Sequence, residues 1–84
     1  MEENQNRPGD SVLRELYESW VWQDLDYIKF LNSENKTFQE LRENHSDEWQ
    51  IVELCREALF DNAKLIKFLK ARIEDVGAEI KKLS

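Results

Sequence analysis

The sequence predicts an all-α fold: an antiparallel helical hairpin with a short intervening helix, dimerising into a helical bundle with coiled-coil-like packing. Three observations carry this. First, Val52, Cys55, Leu59, Asn62, Ile66, Leu69, Ile73, Val76, Ile80 and Leu83 fall on an unbroken 3-4-3-4 spacing. That spacing puts all ten on one stripe of a helix, the seam of a coiled coil, and only Asn62 is polar. Second, Gly (2) and Pro (1) are scarce while charged residues reach 36%, a helix-bundle composition. Third, 84 residues make one domain with a thin core, and helical chains of this size bury more by associating.

The elements follow in order. Residues 1–10 read as a flexible tail, polar and punctuated by Pro8-Gly9, with no apolar stretch of the kind a secretory leader carries. Residues 11–84 form the helical domain. Asp10 or Ser11 caps helix 1, which runs from about 11 to 31. On its wheel Leu13, Leu16, Tyr17, Trp20, Val21, Tyr27, Ile28 and Leu31 gather on one side, the expected buried face. Asn32-Ser33-Glu34-Asn35 reads as a loop, because Asn and Ser side chains compete with helical backbone bonds.

Thr37-Phe38-Gln39-Glu40 fits a capping box and opens a short helix of about 37–44. Ser46, followed by Asp47 and Glu48, gives a second start signal for a long helix of about 46–83. Continued backwards, the seam meets Glu48, His45, Leu41 and Phe38, so the short and long helices could also run on as one. The break is placed near Asn44–Ser46.

Little in the chain points to catalysis. Cys55 lies on the apolar seam, where a thiol acts as a small hydrophobe. His45 falls in the turn region as a surface or capping residue. One His and one Cys supply too few soft ligands for zinc, and no Glu-x-x-His pair or Gly-rich phosphate loop exists. No enzyme activity, cofactor or metal is therefore expected. No run of about 18 apolar residues is present, so no membrane span is expected, and the expected location is cytoplasmic. A single cysteine suits a reducing compartment.

Two polar residues interrupt the apolar faces. Asn62 on the seam has the place of a register-setting amide. Asp24 falls near the middle of helix 1's face. With a turn near 43–45, antiparallel pairing sets Asp24 level with Asn62 to Ile66, within reach of a hydrogen bond.

The remaining clue is the large side chains off the core faces. Trp22, Phe30, Phe60 and Phe68 point away from the seams and are the expected protein-binding residues, with Trp22 ringed by Glu15, Glu18 and Asp26 as an anchor with a charged rim. The seam from Val52 to Leu83 is the expected oligomer seam, because a helix 1 of about 21 residues is too short to cover it. The expected function is a non-enzymatic protein–protein interaction module, an adaptor, small chaperone or regulatory subunit, whose partner is a second copy or an unidentified protein. The rival is a nucleic-acid-related regulator. It would act through Lys64, Lys67, Lys70 and Lys82 around Phe60, or mimic nucleic acid with the acidic first half. The net charge of −6 sets nucleic acid below protein as the partner.

Overall fold

The architecture was read from a computed structural model that describes residues 8–83. Helix α1 spans Pro8–Asn44 and helix α2 spans Trp49–Lys82. The two run antiparallel as a rod, with Cα extents of 69 × 14 × 12 Å. Among the described residues no helix is long and apolar enough to cross a membrane.

Helix α1 is continuous, so the expected loop at Asn32–Asn35 and the separate short helix at 37–44 do not exist. The reason lies in where the polar side chains go. Thr37 does not cap a helix; its hydroxyl donates to the Ser33 carbonyl at 3.3 Å, a bond back along an unbroken helix. Asn35 faces α2 and accepts a hydrogen bond there instead of competing with its own backbone. The helix also begins earlier than expected, at Pro8, where a missing N–H costs nothing. Of the expected tail, residues 1–7 lie outside the described residues, and Pro8 to Asp10 belong to α1.

The chain reverses at His45–Glu48. His45 N–H donates to the Leu41 carbonyl and Glu48 N–H to the His45 carbonyl, both at 3.0 Å. The His45 ring Nδ1 lies 2.8 Å from the Glu48 carboxylate and braces the turn. Helix α2 starts at Trp49 rather than 46, with Glu48 as its cap residue and Ser46 still in the turn. Asp47 and Glu48 therefore precede the first turn that they were expected to occupy.

All ten seam residues of α2 are buried or partly buried, and they pack on α1 of the same chain. Their counterpart on α1 is a second heptad stripe: Asp10, Arg14, Tyr17, Val21, Asp24, Ile28, Leu31, Asn35, Phe38 and Arg42, none of them exposed. Ile28, Leu31 and Leu69 form the centre of the core, with Leu65, Ile66 and Ile73 packed around it. A helix of 37 residues is about 55 Å long at 1.5 Å per residue. It covers the whole α2 seam by itself. The expectation that helix 1 is too short to cover it, which motivated dimerisation through this seam, does not hold.

The buried face of α1 also differs from the wheel reading. Tyr17, Val21, Ile28 and Leu31 face inward, but Leu13, Leu16, Trp20 and Tyr27 are exposed. The inward stripe is half polar, while the stripe one residue before it is largely apolar. The average hydrophobic direction therefore points between the two.

Candidate interaction surface

Five apolar side chains are buried in the described residues: Ile28, Leu31, Cys55, Leu69 and Val76. Thirteen large apolar ones are exposed. A seam between two helices has no further depth in which to hide them, so their arrangement on the outside decides what the molecule can do.

On α1, Leu13, Leu16, Trp20, Gln23, Tyr27 and Phe30 follow a 3-4-3-4-3 spacing, one residue before the inward stripe, and Leu41 continues it near the turn. On α2, the residues one before the seam are Ile51, Leu54, Ala58, Asp61, Leu65, Phe68, Arg72, Asp75, Glu79 and Lys82. In an antiparallel pair these two stripes border the same side of the hairpin, since reversing the helix direction reverses the sense of rotation as well. The contacts agree. Trp20, Gln23, Asp24 and Arg72 line one cleft of about 310 Å³. The Arg72 guanidinium lies 5.4 Å from the Phe68 ring centroid. Tyr27 stacks on Phe30 at 6.3 Å, and Tyr17 meets Trp20 edge-on at 5.6 Å. This side is the apolar flank.

The opposite side holds the residues that follow the inward stripes, among them Glu15, Glu18, Lys29 and Lys36 on α1 and Arg56, Lys67, Lys70 and Lys81 on α2. It mixes these charges with four large exposed apolar side chains, Trp22, Leu25, Trp49 and Phe60.

Polar contacts cross the seam at Asp24 and at Asn62. Arg72 Nε and Nη2 donate to Asp24 Oδ2 and Oδ1 at 2.8 and 2.6 Å, a bidentate fork. Asp24 is only 5% exposed. The Arg72 hydrogen bonds hold its carboxyl below the ordinary aspartate value of 3.8, against the opposing push of desolvation. Asn62 Nδ2 donates to Asn35 Oδ1 at 3.0 Å and to Glu34 Oε1 at 3.3 Å. The expected Asp24–Asn62 bond does not form. The turn lies a few residues later in the chain than expected, which moves Asp24 along α2 by about two helical turns, from Asn62–Ile66 to Arg72.

The four expected protein-binding residues are all exposed: Trp22 66%, Phe30 56%, Phe60 61% and Phe68 58%. The hairpin brings Phe30 and Phe68 level with each other on the apolar flank. Trp22 and Phe60 lie on the opposite side, roughly 22 Å apart along the axis at 1.5 Å per residue. Trp20, Leu16 and Tyr27 were missed as surface residues because their spacing resembles a core face. The signal that could have found them is the presence of two parallel 3-4 stripes on one helix, one of them carrying Asp24 and Asn35.

The lysine cluster is partly engaged. Lys64 Nζ sits 4.8 Å over the Phe60 ring, and Lys82 pairs with Glu79 at 3.1 Å. Among the described residues no group of three His, Cys, Asp or Glu side chains is placed to hold a metal ion. Cys55 is a buried free thiol. No family model, curated protein or solved structure matches this chain.

Proposed function

We propose that this chain is a non-enzymatic protein–protein interaction module whose working surface is the apolar flank, and that it assembles with a second copy of itself into a helical bundle. An adaptor, small chaperone or regulatory subunit would use such a surface. The observation that carries the reading is the concentration of exposed apolar groups on one flank. Leu13, Leu16, Trp20, Tyr27, Phe30, Leu41, Leu54 and Phe68 share one side of the rod, while Trp22, Leu25, Trp49 and Phe60 stand dispersed among charged residues on the other.

Contiguous apolar surface on a monomer is uncommon and marks interaction sites. Trp and Tyr at the centre of such a surface are the residue types that anchor interfaces. A two-helix rod gains depth of core when another helical pair is laid on that side, as in four-helix bundles. The proposed seat of association is thus the flank beside the seam, and the seam itself holds the hairpin together.

Sedimentation equilibrium tests the reading, because it reports mass independently of the rod's shape. The expected mass at micromolar concentration is twice the 10.1 kDa chain. A monomer across the accessible concentration range would refute it.

A further inference from the structure

The side opposite the apolar flank carries a basic band at mid-rod. Between Leu25 and Gln39 on α1 and between Arg56 and Lys70 on α2, the ten positions that follow the inward stripes hold five cations and no acid. The register set by Asp24 with Arg72 and Asn35 with Asn62 aligns the two rows. Lys29 comes level with Lys67 and Lys70, and Lys36 with Phe60. All four of these lysines are exposed, and none forms an ion pair with a described residue. Lys67 and Lys70 stand three residues apart on one helix face, a like-charge spacing that costs stability.

We propose that this band binds the phosphate backbone of a single-stranded nucleic acid. The proposal goes beyond self-association and uses the side of the rod that self-association leaves open. The chain as a whole is acidic, at −6. Charges on its surface are screened over about 8 Å at physiological salt, however, so a bound strand feels the local band. Glu74 lies one turn from Lys70. The other acids of this side, Glu15, Glu18, Glu43 and Glu53, lie about 10 Å or more along the axis from the nearest of the four lysines.

Those acids decide the kind of polyanion. A membrane surface is a plane, and it would press the acidic ends of the rod against anionic headgroups together with the lysines. A strand crossing at mid-rod meets the lysines alone. Phe60 decides between single strand and duplex. It is 61% exposed, with Lys64 Nζ 4.8 Å from its ring centroid, an aromatic and a cation side by side. Unpaired bases stack on such rings beside basic rows, whereas a duplex keeps its base faces stacked on one another.

The test follows the fluorescence anisotropy of a labelled oligothymidine against salt concentration. Each phosphate neutralised on a single strand contributes about −0.7 to the slope of log affinity on log salt, so four lysines give about −2.8. Lys29→Gln combined with Lys67→Gln should bring the slope to about −1.4 with far-UV dichroism unchanged. Lys81→Gln combined with Lys82→Gln, at the end of the rod, should leave it as it is. No binding at low salt, or a slope indifferent to the Lys29 and Lys67 substitutions, overturns the site. Equal or tighter binding of the thymidine–adenine duplex overturns the single strand as the ligand. Equal or tighter binding of phosphatidylserine vesicles or polyglutamate overturns nucleic acid as the class. Sedimentation reads self-association separately, so either proposal can fail while the other stands.

Discussion

Asp24 and Arg72 meet across the seam in a bidentate pair, although 48 residues separate them in the chain. The carboxylate is buried and the arginine side chain is half exposed, lying over Phe68 on the apolar flank. The pair therefore joins the hairpin seam to the proposed working surface. It fixes the helix register and positions a cation on that surface.

The pair gives stability a defined pH dependence. Asp24 has a lowered pKa in the folded chain, so its contribution is fully present above 3.8 and is lost as pH falls through the folded value. The chain carries 18 carboxylates, so the informative quantity is a difference. Wild type should exceed Asp24→Asn in stability at pH 7, and the gap should close below pH 3.8. Urea melts at several pH values would measure it. A gap that does not depend on pH would mean the pair contributes through packing alone.

Leu69 is the most deeply buried side chain, held against Ile28 and Leu31. Leu69→Ala should cost about 2–4 kcal/mol, the transfer and cavity cost of a core leucine. In a core of five buried apolar residues this should abolish the cooperative transition at 37 °C. Thermal melts followed by far-UV dichroism would show it.

Much of the fold was legible in the chain, and the reasons differ by element. The α2 seam was clear because nine of its ten positions are apolar or thiol. Its partner stripe on α1 was obscured because Arg14, Asp24, Asn35 and Arg42 interrupt it, while the adjacent exposed stripe carries Leu13, Leu16, Trp20 and Tyr27. Asn32 to Asn35 looked like a loop because the bond from Asn62 that satisfies Asn35 comes from 27 residues away. Thr37 looked like a cap because a hydroxyl that bonds back to Ser33 has the same local sequence as one that caps forward. Phe30 and Phe68 were visible as surface aromatics. Their shared level on one side depends on the hairpin register, which no local pattern encodes.

The Asn35–Asn62 bond has the character of a register lock, with stability given up for specificity. Replacing both by leucine should raise the melting temperature by several degrees, since about 1 kcal/mol shifts a domain of this size by roughly 4–8 °C. Asn62→Leu alone should gain less, because it removes a partner of Asn35. A double-mutant cycle in thermal melts would separate the coupling from the burial gain.

Gly77 lies inside α2 with open space where a Cβ would go. Gly77→Ala should stabilise by about 0.5–1 kcal/mol through helix propensity. Denaturant midpoints would detect this. Destabilisation would mean that this side of α2 is covered in the assembled protein.

The central claim is that association proceeds through the apolar flank, with the charged side left free. The most direct measurement is sedimentation equilibrium of wild type, Trp20→Glu and Trp22→Ala, paired with far-UV dichroism. Trp20 is half exposed at the flank centre and Trp22 sits on the opposite side of the same helix. The account predicts a dimer for wild type and for Trp22→Ala, and a helical monomer for Trp20→Glu. A dimer that survives Trp20→Glu but dissociates on Trp22→Ala would contradict it.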